Sequence, residues 1–302
     1  MKILFATDGS EYSESAARFM TRINWSRDDS VTVFHAIYAV PFRYDEEFYH
    51  SQLAAIKKEL APKILDSAVN ALKPIQAIVS VEIEEGPQNQ CAPEQCIIEA
   101  AEKADSDLIV MGARGTKGLG SVFLGSVTRL VAIQSSTPVL AVKPAKQGTD
   151  DALKVLFATD GSDYSRATGE LLAAVPFPGN TEVTVVNVIS SGLSDIPERF
   201  APEINDRMKE MAADSRTLEF AASRKTVEQA GEILKKRFSN IAVLSAVGDP
   251  SMEILRIAEK LGADLIAVGS RGLRGIKGLM GSVSRNVLTH ARCSVLIGKM
   301  HL

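Results

Sequence analysis

A chain of 302 residues with 45% hydrophobic and 24% charged residues and a formal net charge of −3 has ordinary globular composition. Its length fits two domains of about 150 residues each. The balance lacks the basic domain or stripe that binds nucleic acid, and no run of roughly 18 apolar residues marks a membrane span, so neither is an expected partner. The opening MKILFATDGS passes straight into a strand-like pattern instead of a signal peptide, which points to a cytoplasmic protein.

In chain order, the first half alternates short apolar runs with helical periodicity. Strands are expected at 2–7, 31–38, 77–84, 107–112 and 138–143. Helices are expected over Tyr12–Ile23, over Glu46–Leu72 with a break at Pro62, over Pro93–Lys103 and over Ser126–Gln134. Cys91 and Cys96 lie five apart, about 140° around a helix, which predicts two inert thiols rather than a paired or metal-binding set. His35, His50, His290 and His301 show no metal-ligand spacing.

After a polar join, PAKQGTDDA at 144–152, the pattern starts again. LFATDGS occurs at Leu4–Ser10 and identically at Leu156–Ser162, SDLIVMGARG at 106–115 is echoed by ADLIAVGSRG at 263–272, and TPVLAVK at 137–143 by CSVLIGK at 293–299. Three echoes in one order mean a duplicated domain, with boundaries near 1–144 and 153–302. Strands follow at about 154–159, 182–189, 241–246, 264–269 and 294–299. The central helical region of this half, Glu198–Phe238, is longer than its counterpart and predicts an added helix or lid.

Short, nearly all-apolar strands alternating with helices predict an α/β protein of two tandem doubly wound domains. Each would be a five-stranded parallel sheet in the order 3-2-1-4-5, flanked by helices. In such sheets ligands bind at the carboxyl ends of the strands, where the order reverses. The ATDGS and GARG turns then form two walls of one crevice. Behind the second wall, Gly115, Gly118 and Gly120 give a loop of small cross-section, and Gly125-Ser126 opens a helix. A helix start offers unpaired N–H groups and partial positive charge, hydroxyls stand at Ser126 and Thr128, and Arg114, Lys117 and Arg129 are cationic. A phosphate group suits this setting. The lysine of a Walker A loop is missing, and so is G-x-G-x-x-G.

The whole chain resembles a tandem universal stress protein. The resemblance is carried by ATDGS at 6–10 and 158–162, by the ADLIAVGSRG strand, and by the spacing G-x2-G-x9-G-[S/T], which Gly112, Gly115, Gly125 and Ser126 fit. It implies an ATP-binding domain in which Thr7, Asp8 and the backbone near Ile37 hold the nucleoside. Met111, Gly112, Arg114, Gly115, Gly125, Ser126, Val127 and Thr128 would hold ribose and phosphates. A carboxylate beside phosphate would repel it, so Asp8 belongs at the nucleoside end; its alternative role is to cap the following turn or helix. In the second half Asp160, Gly269, Arg271, Gly272, Gly281, Ser282 and Ser284 keep the residue types, but only eight residues separate Gly272 from Gly281. That loop is one residue short, so the first domain is expected to be the better ATP site.

The reading that follows is a stress-response regulatory protein whose state tracks ATP occupancy, with little or no hydrolysis. One alternative is a weak ATPase or a nucleotidyl or phosphoryl transferase, in which Mg²⁺ bridges phosphate and the hydroxyl of Ser126 or Thr128. Another is a nucleotide-independent scaffold or apolar-ligand binder using 198–238, although Met208 and Met211 read more simply as core filler. The last strands of the halves need covering, which predicts an internal pseudo-dimer and leaves room for a homodimer.

Overall fold

The computed structural model of the protein describes residues 1–37, 47–85, 92–114, 124–144, 152–190, 206–273 and 280–300. The first repeat runs β1 (Lys2–Ala6), α1 (Glu11–Met20), β2 (Ser30–Ile37), α2 (Glu47–Leu72), β3 (Ile78–Glu85), α3 (Pro93–Lys103), β4 (Leu108–Gly112), α4 (Ser126–Gln134) and β5 (Val139–Val142). Its strands lie parallel in the order β3-β2-β1-β4-β5. The central strands are apolar on both faces because both are covered: LIVMG of β4 and VLAV of β5 are buried at every position.

The second repeat runs β6 (Lys154–Ala158), α5 (Asp163–Ala174), β7 (Glu182–Ile189), α6 (Asp206–Leu234), β8 (Asn240–Val247), α7 (Pro250–Leu261), β9 (Leu265–Gly269), α8 (Ser282–His290) and β10 (Ser294–Gly298). The chain divides into two compact units, one of Met1–Asp150, Val175–Pro178 and Arg292–Leu302, the other of Asp151–Ala174 and Gly179–Ala291. In the second unit β8, β7, β6 and β9 are parallel neighbours in that order. The final strand, β10, belongs to the first unit, where it runs antiparallel to β5 with Val295, Leu296 and Ile297 opposite Ala141, Leu140 and Val139. An all-apolar strand edge that would invite foreign pairing is thereby closed.

Local chemistry sets the helix ends. Ser10 caps α1 by accepting from the Ser13 amide, with Glu11 and Glu14 in the first turn beside the positive end of the helix. At α7, Asp249 accepts from the Met252 amide, Pro250 begins the helix, and Gly262 ends it at φ 64°, a left-handed cap that favours glycine.

The expectations for Pro62 and Met211 need correction. Pro62 does not break α2, which is continuous through it. Ala61, Leu65, Ala68 and Leu72 are buried along that helix, and their burial outweighs a cost of about 3 kcal/mol for an interior proline. The central region of the second repeat is the longer one as expected, with a helix of 29 residues against 26 in the first, and residues 198–205 of the expected region lie outside the described residues. Met211 is 63% exposed on α6 and so does not fill a core; Met208 has its side chain outside the described residues.

Cys96, fully buried on α3, is disulfide-bonded and not a free thiol. An angle of about 140° between Cys91 and Cys96 applies only within one helix, and α3 begins at Pro93. Cys91 itself lies outside the described residues. No helix among the described residues is long and apolar enough to cross a membrane.

Candidate functional site

The turn after β1 is built by its own residues. The Thr7 hydroxyl accepts from the Gly9 amide and donates to Ser13 Oγ, while Asp8 Oδ1 accepts from both the amide and the hydroxyl of Ser10. Gly9 sits at φ 74° and Gly161, its counterpart, at φ 78°, where a side chain would be strained. The TDGS motif is therefore a turn joined to a helix cap. Its copy repeats the bonds: Gly161 N–H to Thr159 Oγ1, Ser162 N–H to Asp160 Oδ1, and Ser165 N–H to Ser162 Oγ.

The glycines ending β4 and β9 serve packing. A Cβ on Gly112 would stand 2.6 Å from the Tyr12 carbonyl carbon, and one on Gly269 would stand 2.9 Å from that of Tyr164. The family resemblance implies a ribose or phosphate contact at Gly112 and the same residue type at Gly269; the backbone that approaches these two glycines is that of α1 or α5. The next cation is stacked on the same tyrosine. Arg114 lies 5.6 Å from the Tyr12 ring centre and Arg271 lies 5.0 Å from that of Tyr164, each also donating to the phenol oxygen. Burial holds the Lys143 ammonium below the usual lysine range; Cys293 opposes this, and the Arg114 charge adds to it.

The helices α4 and α8 start on Gly125 and Gly281, with no side-chain cap and no acidic residue in the first turn. Ser126 and Ser282 are exposed there. The hydroxyls of Thr128 and Ser284 are instead buried and donate to the carbonyls of Gly112 and Gly269 at 2.8 and 2.6 Å. Toward an anion they have no proton left to give.

In the second unit these parts surround a cavity of about 600 Å³. All seven residues singled out from sequence, Asp160, Gly269, Arg271, Gly272, Gly281, Ser282 and Ser284, line it. It is also lined by the apolar Val186, Val188, Pro250 and Ile254, by the hydroxyl residues Thr159, Ser165 and Ser190, and by one amide side chain, Asn187. Such a mixture of an apolar slot and a few convergent polar groups is typical of small-molecule pockets. Asp160 spans the cavity's rim: Oδ1 holds the Ser162 amide and Oδ2 accepts the Leu273 amide at 2.9 Å. In the first unit, Thr7 and Asp8 follow β1, Ile37 ends β2, and Met111 is buried on β4 between Ala6 and Ala141. Arg114, Gly125, Ser126, Val127 and Thr128 stand at the strand end and helix start, while Gly115 lies outside the described residues.

One pair was missed in the sequence. His35 and Asn187 hold the same place in the repeats, as the single polar residue in VFHAI and VVNVI. His35 Nδ1 lies 2.8 Å from the Thr7 carbonyl oxygen, and Asn187 Nδ2 donates to that of Thr159 at 2.7 Å. A polar break at equal positions in two apolar strands was the available signal.

Fold and site together define a duplicated, doubly wound α/β protein with ligand-sized space at the carboxyl ends of its strands. The sequence profile described as the universal stress protein family matches residues 1–143 and again 152–299, and the chain belongs to that family. It is 33% identical over 141 residues to a universal stress protein of Thermus aquaticus, a match covering 47% of this chain and 97% of the relative. Over 300 residues it is 27% identical to a universal stress protein of Mycolicibacterium smegmatis, covering 98% of this chain and 96% of the relative. The crystal structure of a universal stress protein from Archaeoglobus fulgidus superimposes with a TM-score of 0.62 at 23% identity, covering 99% of this chain and 98% of that one, which is likeness of fold.

Proposed function

We propose that this protein binds adenine nucleotides, ATP foremost, and acts as a stress-response regulator whose state follows occupancy, with slow or no hydrolysis. The observation that carries this reading is the uncapped start of α8 at Gly281-Ser282, opening on a cavity of about 600 Å³ that Val186, Val188, Pro250 and Ile254 also line. Free N–H groups and the positive end of the helix suit a phosphate chain, and the apolar side chains in the lining suit a base. Asp160 is the carboxylate lining the cavity, and it is engaged with backbone amides. The lining thus supports binding and positioning more than bond cleavage. Any Mg²⁺ would be carried by the phosphates, since no group of three or more metal-ligating side chains occurs among the described residues. The protein would act in the cytoplasm, with homodimers as its further assembly.

Calorimetric titration of ATP into the wild type and Ser282→Glu, alone and with Ser126→Glu, tests this. Glutamate in the first turn favours the helix but repels phosphate, so folding should hold while affinity falls at least about tenfold. Unchanged affinity in the double variant would remove the phosphates from the helix starts.

The scaffold reading keeps one observation: Met211, Leu218 and Phe220 stand exposed on α6, Leu218 at 72%. Loss of partner capture in Leu218→Ser with ATP binding intact would favour it.

A further inference from the structure

We infer that His35 and Asn187 are the base-reading residues of the two repeats and select 6-amino over 6-oxo purines. The inference rests on the nucleotide reading above and deepens it.

The two residues are held alike. The Thr7 amide donates to the Phe34 carbonyl at 2.9 Å and the Thr159 amide to that of Val186 at 2.9 Å, which sets the turn after each first strand beside the next residue of its neighbour. That next residue then returns a bond to the threonine carbonyl, from His35 in one repeat and Asn187 in the other. A carbonyl oxygen can only accept. The His35 proton therefore sits on Nδ1, and the Asn187 amide presents its NH₂ to Thr159. In each case an acceptor is left over: Nε2 whenever the imidazole is neutral, and Oδ1 of the amide. Neither has a hydrogen-bond partner among the described residues.

Asn187 lines the cavity together with the apolar Val186, Val188, Pro250 and Ile254 and the hydroxyl residues Thr159, Ser165 and Ser190, and it is the one amide side chain in that lining. An acceptor in an apolar slot pairs with an exocyclic amino group and repels a carbonyl oxygen at the same position. Adenine and hypoxanthine differ there in just this way. Imidazole and carboxamide are chemically unlike, yet at this position they offer the same pair of functions, a donor to the turn and a spare acceptor. A purely structural role would require only the donor.

The test titrates ATP and inosine triphosphate into the full-length protein, into His35→Leu/Asn187→Leu, and into the exchanged variant His35→Asn/Asn187→His. The wild type should prefer ATP by about tenfold, the worth of one well-placed hydrogen bond. The leucine variant should lose that preference through weaker ATP binding, with inosine triphosphate affinity unchanged, and the exchanged variant should keep it. Equal binding of both nucleotides by the wild type, or a preference that survives in the leucine variant, would overturn the inference while leaving nucleotide binding in place. A wild type that binds neither nucleotide would overturn both readings. Should the leucine variant fail to fold, the exchanged variant decides: retained preference supports the assignment and lost preference refutes it.

Discussion

The carboxylate of Asp160 accepts the backbone N–H of Leu273 at 2.9 Å, and the residue between Leu273 and Arg271 is glycine because that carboxylate needs the space. A Cβ on Gly272 would lie 2.5 Å from Asp160 Oδ2. The turn after β6 and the loop after β9 are thus latched to each other across the mouth of the cavity.

Substituting Gly272→Ala should break this latch at a cost of about 1 kcal/mol, the value of one hydrogen bond, because the obstructing atom is a side-chain end that can swing away. Combined with Asp160→Ala it should add almost nothing further. Denaturant unfolding of the two single variants and the double variant, read as a thermodynamic cycle, checks the coupling. Additive losses would mean that the two residues act separately.

Replacing Gly112 or Gly269 by alanine should be costlier, about 1–3 kcal/mol or beyond, since the new methyl meets helix backbone. Gly112→Ala should be the worse, its contacts being 2.6–2.8 Å against 2.9–3.1 Å at Gly269. Thermal melts of the two variants rank them directly.

The hydroxyls of Thr128 and Ser284 should matter to stability more than to ligand affinity. Thr128→Val leaves the buried Gly112 carbonyl without its donor, which should cost about 1–3 kcal/mol. ATP affinity in that variant should change less than in Ser126→Glu. The opposite ranking in calorimetry would return Thr128 to the phosphates.

Acid should reveal the cap of α7. Bonds from the Ser251 hydroxyl and then the Met252 amide hold the Asp249 carboxyl below the usual aspartate range. A carboxylate whose folded value is depressed adds stability that is present above its unfolded value and is lost as pH falls through the folded one. Asp249→Ala should therefore cost about 1 kcal/mol at neutral pH and progressively less below about pH 4. Asp249→Asn, still able to cap, should cost less at neutral pH. Urea midpoints measured from pH 7 to pH 2 check both.

The duplicated α/β plan was legible because it depends on alternation and on long identical strings, LFATDGS above all, that local pattern carries without error. The site was legible as a neighbourhood and less so in its reasons. Gly112 and Gly269 stand in the sequence as signature positions, and a sequence shows which residue lacks a side chain and not what lies opposite, here the first turn of another helix. The stacking of Arg114 on Tyr12 and of Arg271 on Tyr164 joins residues far apart in the chain, which no local pattern announces. Pro62 looks like a break because propensity is local and the burial of Ala61 and Leu65 is not.

The pairing of β10 with β5 bears on how the chain comes off the ribosome. Leu140 must wait for Leu296, roughly 150 residues further along, before its strand has a partner on that side. Through that interval the first repeat carries a bare apolar rim, and elongation rate and chaperone access become conditions of its correct folding. A chain stopped short of the last strand would leave the first repeat, intact in sequence, as the aggregating species.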